Sequence, residues 1–409
     1  MTTNEPGPTW VDGAAGTPYD VDNLPYAVFS VGGDQPRVGA RIGDLVVDLA
    51  PIAASDMMAG AEALARPTLA GLLAAGRPTW TSTRAWLTAL LTDEAERAGV
   101  EPFLIPIGEV SLHPPFDVAD YVDFYASIDH ASHAGQIFRP DDPPLLPNWR
   151  HLPVGYHGRA GSVVISGTDV VRPCGQRKPA DAEAPTYGPT QRLDIEAELG
   201  YVVGVPTRLG ERVPTSAFAD HVFGVTLLND WSARDIQGWE ARPLGPFLGK
   251  SFATSISPWI TPLDALAAAR VELPTQDPEP LPYLQVDGLA GYDIDLEIRL
   301  GDHVLSRPPY ATTYWSPAQM LAHLTVNGAP LRTGDLFASG TVSGSEPDRM
   351  GSLLELSWGG SKPVTLPDGS TRTYLEDGDT VTLSATAPGI RGGRIALGDV
   401  TGTVRAAAD

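Results

Sequence analysis

Cysteine is almost missing from this 409-residue chain, with Cys174 the only one. That excludes an intrachain disulfide, a cysteine zinc site and a thiol pair, and it fits a reduced, cytoplasmic setting. Basic residues are scarce too. Only 28 Lys and Arg stand against 50 Asp and Glu, a formal net charge of −22. Nucleic acid, which requires a basic face, is therefore not an expected partner. Long apolar runs are lacking, so no stretch approaches the length of a membrane span. Met1 to Tyr19 has no basic start followed by an apolar run and does not read as a signal peptide.

What is abundant is turn chemistry. The chain holds 43 Gly and 39 Pro with 42% hydrophobic residues, which implies a loop-rich, mainly β protein with some α and a real core. The length favours two or three domains. Ala27–Val31 reads as a strand, and Gly43-Asp44 between Val38–Ile42 and Leu45–Leu49 reads as a hairpin turn. Trp86, Leu87, Leu90 and Leu91 have helical spacing within Ser82 to Ala98, closed by Gly99. The Pro-rich stretch from Glu101 to Phe116 reads as a linker. The expected division is a polar extension (1–22), an N-terminal module (23–115) and a larger β domain (116–409). In the last, short strands alternate with loops, Asp377-Gly378 marks a turn, and Ser316 to Leu324 is one of few helices.

Several segments carry side chains suited to chemistry. Leu193 to Val203 alternates apolar and polar residues, which is strand periodicity and puts Glu196 and Glu198 on one face. Two carboxylates about 7 Å apart on a strand can converge on one cation. The spacing alone equally allows a solvent-facing acidic edge. Phe223 to Asp230 reads as a buried strand ending in an acid, followed by a short helix from Trp231 to Gln237 with Arg234 and Gln237 on one face. Asp230 or Ser232 taken alone suits a helix cap. An acid followed by a cation and an amide donor also suits a metal-bound oxyanion.

Asp123 precedes His130 by seven residues, with Arg139 beyond. His133 is an equal candidate for a histidine function on composition, and Arg139 equally reads as a surface charge. Gly245 to Ser251 has the wrong glycine spacing for a phosphate loop, so Lys250 reads as a single buried cation near an acidic site. Leu336 to Thr341 reads as a strand running into a Gly-Thr turn. Leu353 to Trp358 reads as an apolar strand, in which Glu355 needs a partner such as a histidine.

Together these segments resemble the fumarylacetoacetase family from about Asn23 to Val404. The motifs are Asp123-Phe-Tyr125, Leu152-Pro-Val-Gly-Tyr156-His-Gly-Arg159, Asn229-Asp230-Trp-Ser-Ala-Arg234-Asp-Ile-Gln237, Leu244-Gly-Pro-Phe-Leu-Gly-Lys250-Ser-Phe252 and Ala338-Ser-Gly340-Thr341. The resemblance implies an N-terminal SH3-like barrel, a C-terminal mixed β-sandwich roll and a homodimer acting on a small β-diketo acid. It implies calcium ligands Asp123, Glu196, Glu198 and Asp230, and a magnesium site of Asp230, Lys250 and Thr254. It further implies His130 as general base with Glu355 as its orienting partner, and Arg234, Gln237 and Lys250 as stabilisers of negative charge. Tyr125, Arg139, Tyr156, Gln237 and Thr341 would contact substrate. The implied reaction is metal-dependent hydrolysis of a C–C bond, giving fumarate and acetoacetate in tyrosine and phenylalanine breakdown. Acylpyruvate hydrolases, oxo-diacid decarboxylases or isomerases, and a non-catalytic scaffold are the rival readings. One departure is Ala241, where animal members carry a substrate-contacting Tyr.

Overall fold

A computed structural model describes residues 7–58, 60–179 and 181–408. It is mainly β with short helices, as expected, and is built on three principal sheets. The first belongs to the N-terminal module. Tyr26–Val31, Arg37–Ile42 and Leu45–Asp48 pair antiparallel, and Ile42 faces Leu45 across the Gly43-Asp44 turn. Gly43 has φ +54°, a left-handed conformation that glycine adopts at no steric cost.

The stretch that reads as a linker supplies the two outer strands of this sheet. Leu104–Pro106 pairs with Leu45–Asp48, and Val110–His113 pairs with Tyr26–Val31. Its prolines sit at the sheet margin or just beyond it, where a missing N–H is tolerated. The main helix of the module also differs from the reading. It runs Arg77–Thr92 and stops well before Gly99, where Asp93 turns extended and its side chain accepts from the Ala95 N–H. Of the polar extension, residues 1–6 lie outside the described residues. The rest packs inward, with Trp10, Val11, Ala14 and Val21 in the core and the Trp10 indole N–H donating to Leu90 O at 2.7 Å.

The central, eight-stranded sheet positions the site. Along its path the order is Gly155–His157, Tyr121–Phe124, Leu336–Ala338, Ala197–Val203, Val222–Asp230, Thr254–Ile256 and Val163–Ile165. Two pairings are parallel, Leu336–Ala338 with Tyr121–Phe124 and Thr254–Ile256 with Val163–Ile165. Every residue of Val222–Asp230 is buried, which accounts for a continuous apolar run with no alternation. One face of this sheet takes the N-terminal module, with Val202, Phe223, Ile256 and Leu336 sharing a core with Tyr26, Trp80 and Leu87. The other packs against the third sheet, six strands around Asp295–Leu300, Thr380–Pro388 and Val400–Arg405. There Thr380–Pro388 alternates half-buried and buried positions without a break, the pattern of a strand with one face on a core.

Two local readings change. Leu353–Leu356 is a short helix, not a strand. Ser352 caps it, its Oγ accepting from the Glu355 N–H, and Ser-x-x-Glu is capping-box spacing. The helix expected from Trp231 begins only at Arg234, because Ser232–Ala233 pairs with Leu193–Asp194 as strand. Neither Asp230 nor Ser232 caps it. Ser316 does cap the helix Pro317–Thr325, in a full capping box with Gln319.

Candidate metal and active site

The strands deliver four carboxylates to one point. Asp123 is registered between Tyr156 and Ala338 on neighbouring strands, and Asp230 lies opposite Thr254. Glu198 sits in Ala197–Val203, while Glu196 falls just outside it, where the strand breaks between Asp194 and Ala197. The break does not separate the pair. Asp123, Glu196, Glu198 and Asp230 each offer an oxygen within 4.8 Å of the others, and all four are buried. The solvent-facing acidic edge is thereby excluded.

This cluster is electrostatically incomplete. Both carboxylate oxygens of Glu198 and Oδ1 of Asp123 are buried without a hydrogen-bond partner. Burial, and then the neighbouring carboxylates, hold Asp123 and Glu198 well above the usual carboxylate range. Burial also raises Asp230, although Lys250 opposes it. Glu196 behaves oppositely. Burial would raise it, but Lys250 and Arg234 outweigh burial and keep it ionised. Two buried cations serve the cluster. The Lys250 ammonium donates to Glu196 and, at 2.7 Å, to Asp230. Arg234 Nη1 meets Glu196 at 2.8 Å, while Arg234 Nε is engaged by Asp194. Lys250 is therefore not a lone buried cation. Unpaired buried carboxylates of this kind need a compensating charge, and all-oxygen donors suit a hard divalent ion such as calcium or magnesium. The residues present fit such an ion.

Beside the cluster opens a cavity of about 340 Å³. Tyr125, His130, Arg139, Tyr156, Arg234, Gln237, Lys250 and Thr341 all line it, together with Asp123 and Glu196. Glu198, Asp230 and Thr254 do not line it, and Thr254 Oγ1 donates to Asp230 Oδ1 at 3.3 Å. Tyr156 Oη donates to Asp230 Oδ2 at 3.0 Å. Arg234 Nη1 also donates to Gln237 Oε1 at 3.2 Å, which leaves the Gln237 amide N–H groups for other acceptors. Arg234 Nη2 and Thr341 Oγ1 are buried and unpartnered. Arg139 is half-buried and donates to Pro144 O at 3.2 Å. Gly340 makes the turn before Thr341 possible. Its φ is +74°, and a Cβ there would lie 2.2 Å from Phe124 O.

His130 rides on the helix Ile128–Phe138, capped by Ser127. Its Nδ1 lies 2.7 Å from Glu355 Oε2, and its Nε2 faces the cluster 3.7 Å from Glu196 Oε1. His133, one turn on, places Nδ1 2.9 Å from the other oxygen of Glu355. The two histidines that composition could not rank therefore share one carboxylate. Glu355 also accepts from Ser343 Oγ and Ser352 Oγ. Burial pushes its carboxyl up, but His130 and the hydrogen bonds from both histidines and Ser352 bring it down to about 2. Ala241 does not line the cavity. It follows the Arg234–Glu240 helix, while Leu244, Gly245 and Pro246 form the wall nearby.

The reading from sequence missed Asp194. Its Oδ1 accepts from the N–H groups of Ile195 and Leu353, and its Oδ2 from Leu354 N–H and Arg234 Nε. One buried carboxylate thus ties Arg234 to the start of the helix that carries Glu355. A polar residue preceding the Glu196–Glu198 pair in the same alternating run was the available signal.

The "Fumarylacetoacetase N-terminal" family model matches residues 22–115, and "Fumarylacetoacetate (FAA) hydrolase C-terminal" matches 121–405. The fumarylacetoacetase of Homo sapiens is 45% identical, over 94% of this chain and 96% of that protein. The fumarylacetoacetase of Arabidopsis thaliana is 43% identical, over 97% and 98%. Among solved structures, a fumarylacetoacetate hydrolase from Exiguobacterium antarcticum superposes with TM-score 0.55 at 18% identity, covering 94% of this chain and 99% of that one. This last likeness concerns the fold.

Proposed function

This chain belongs to the fumarylacetoacetase family, and on that premise we propose that it hydrolyses the C–C bond of 4-fumarylacetoacetate through a site built from His130, Glu355 and the four-carboxylate cluster. It is a hydrolase acting on C–C bonds, and the products are fumarate and acetoacetate. The observation that carries the site reading is the buried His130–Glu355 contact beside carboxylates that lack partners.

Asp123, Glu196, Glu198 and Asp230 would hold calcium. Thr254, Asp230 and the Lys250 backbone would hold magnesium. A bound divalent ion supplies Lewis-acid polarisation of a chelated diketone. The remaining work falls to the chain. Glu355, ionised and accepting only, selects the His130 tautomer with the proton on Nδ1. The Nε2 lone pair is then free to take a proton from water. Arg234, through the unpartnered Nη2, Gln237 and Lys250 meet negative charge as it develops on substrate oxygens. Tyr125, Arg139, Tyr156 and Thr341 position the β-diketo acid. The division into residues 1–22, 23–115 and 116–409 belongs to the same reading, as do a homodimer and a cytoplasmic location. Among the described residues no helix is long and apolar enough to cross a membrane. The fumarylacetoacetase reading is favoured over the acylpyruvate, decarboxylase and isomerase readings because relatives 43–45% identical over nearly the whole chain are fumarylacetoacetases.

The test is a spectrophotometric assay of metal-loaded protein with fumarylacetoacetate and with shorter acylpyruvates, with and without chelator. Cleavage of fumarylacetoacetate that chelator stops is expected. Preference for an acylpyruvate would overturn the substrate, and chelator-insensitive turnover would overturn the metal. Sedimentation at micromolar concentration tests the dimer, and a monomer there rejects it.

A further inference from the structure

Glu355 holds more than one histidine needs. Its side chain is wholly buried, yet each oxygen receives an imidazole: Oε2 meets His130 Nδ1 at 2.7 Å, and Oε1 meets His133 Nδ1 at 2.9 Å. The two rings differ in what lies beyond them. His130 is buried and turns its free nitrogen toward the carboxylate cluster. His133 is less deeply buried, its side chain 14% exposed, and lies on the far side of Glu355 from His130.

We propose that His133 is a positioning residue for the reaction: it holds Oε1 of Glu355 so that Oε2 faces His130, and its protonation withdraws the negative charge on which His130 depends. This rests on the reading of His130 as the base. His133 acts on Glu355 in two ways. A carboxylate with one free oxygen rotates about its last bond. Anchoring Oε1 from the opposite side, with Ser343 and Ser352 on Oε2, removes that freedom, and misplacing a proton-transfer partner by about 1 Å costs on the order of a hundredfold in rate. The second effect is on charge. When His130 takes the proton of water, the imidazolium formed is stabilised by Glu355. If His133 is neutral, that charge is undivided. If His133 is already an imidazolium, a second positive charge faces the same buried carboxylate, and the new cation on His130 is disfavoured.

The groups facing His133 are Glu355 from the short helix, Asp129 one turn earlier on its own helix, and the edge of Trp358, whose ring carries the Lys362 ammonium at 5.3 Å. The hydrogen bond to Glu355 raises the His133 pKa against the opposing effect of burial, and the charges of Glu355 and Asp129 raise it further. Protonation of His133 therefore sets in at a pH above that of an ordinary histidine, and activity is lost as pH falls through that range.

The experiment compares kcat and KM across pH for the metal-loaded parent, His133→Ala and His133→Asn with fumarylacetoacetate. Asn offers an N–H near the place of Nδ1 and never carries charge. His133→Ala is expected to lose about tenfold to a hundredfold in kcat with little change in KM. His133→Asn is expected to recover most of that loss at alkaline pH and to hold its rate further into the acid range than the parent. An acid limb for His133→Asn that superimposes on the parent's would overturn the proposal, as would full activity in His133→Ala. If the Ala variant fails to fold, the Asn profile decides alone. His130→Ala is measured in parallel. If it stays active while His133→Ala does not, the base assignment has failed, and His133 is itself the base.

Discussion

Glu198 is the residue whose surroundings most demand a cation. It is fully buried, neither carboxylate oxygen has a hydrogen-bond donor, and burial and Asp123 hold its pKa well above normal. Glu198→Gln keeps the shape, removes one charge and supplies donors to the remaining carboxylates. The calcium concentration for half-maximal activity is expected to rise at least about tenfold, because the ion loses a hard oxygen ligand and part of its compensating charge. In chelator the same variant is expected to melt higher than the parent, since like charges no longer crowd a buried site. A calcium titration and a melt in chelator check both, and an unchanged titration would remove Glu198 from the site. Spacing alone left Glu196 and Glu198 open to an acidic edge and did not rank His130 above His133; it is the family resemblance, carried by local motifs, that implies their roles. Asp194 was not legible, since its backbone donors at Leu353 and Leu354 lie 159 and 160 residues away. The sharing of Glu355 by His130 and His133 depends on a contact across more than 220 residues, which no local pattern encodes.

Among elements, the segments that read correctly carried a cap, a turn signal or a fully buried run, and length alone did not decide. Nine residues of buried strand ending at Asp230, and the capped helix after Ser316, follow from pattern and cap. Leu353–Leu356 has four residues, and an apolar run that short fits strand and helix alike. The Leu193–Val203 alternation read as one strand, but the segment belongs to two sheets: Leu193–Asp194 pairs with Ser232–Ala233, and Ala197–Val203 with Val222–Asp230. Asp194 stands at that change of partner and joins three elements. Asp194→Asn turns two of its acceptor positions toward an amide that has donors where acceptance is required. The expected cost is about 3 kcal/mol of stability, because Arg234 remains buried without its full counter-charge. It should also lower kcat, because Arg234 and the Glu355 helix both lose their anchor. Denaturant melts and steady-state kinetics check this. An Asp194→Asn protein with normal kcat would show that the Glu355 helix is held adequately by Ser352 alone.

At the scale of the whole molecule, the acidic composition leaves most carboxylates on a solvated surface and concentrates a few in one buried cluster. The fold class was legible from Gly, Pro and strand signals, but the joining of the modules was not. The Glu101–Phe116 stretch looked like a linker because proline marks turns, whereas here it edges a sheet. The buried charges make stability a function of pH and of metal together. Asp123, Glu198 and Asp230 have folded pKa values above the ordinary carboxylate value near 4. In chelator, the folded state therefore binds more protons than the unfolded chain, and stability falls as pH rises above about 4 through their raised values. Glu355 acts in the opposite sense. Its folded pKa of about 2 lies below its ordinary 4.5, so its contribution is complete above about 4.5 and is lost as pH falls toward 2. Metal-free protein is thus expected to be most stable in mild acid, near pH 5. Calcium binds the ionised carboxylates, so it should restore stability most at pH 8 and little at pH 5. At 100-fold excess over its dissociation constant a ligand stabilises by about 2.7 kcal/mol, which corresponds to a shift of several degrees in Tm. Thermal melts from pH 4 to 9, in chelator and in calcium, measure both curves. Coincident curves at pH 8 would mean that the four carboxylates hold no ion. A metal-free optimum at pH 8 would mean that they do not repel one another as their burial requires.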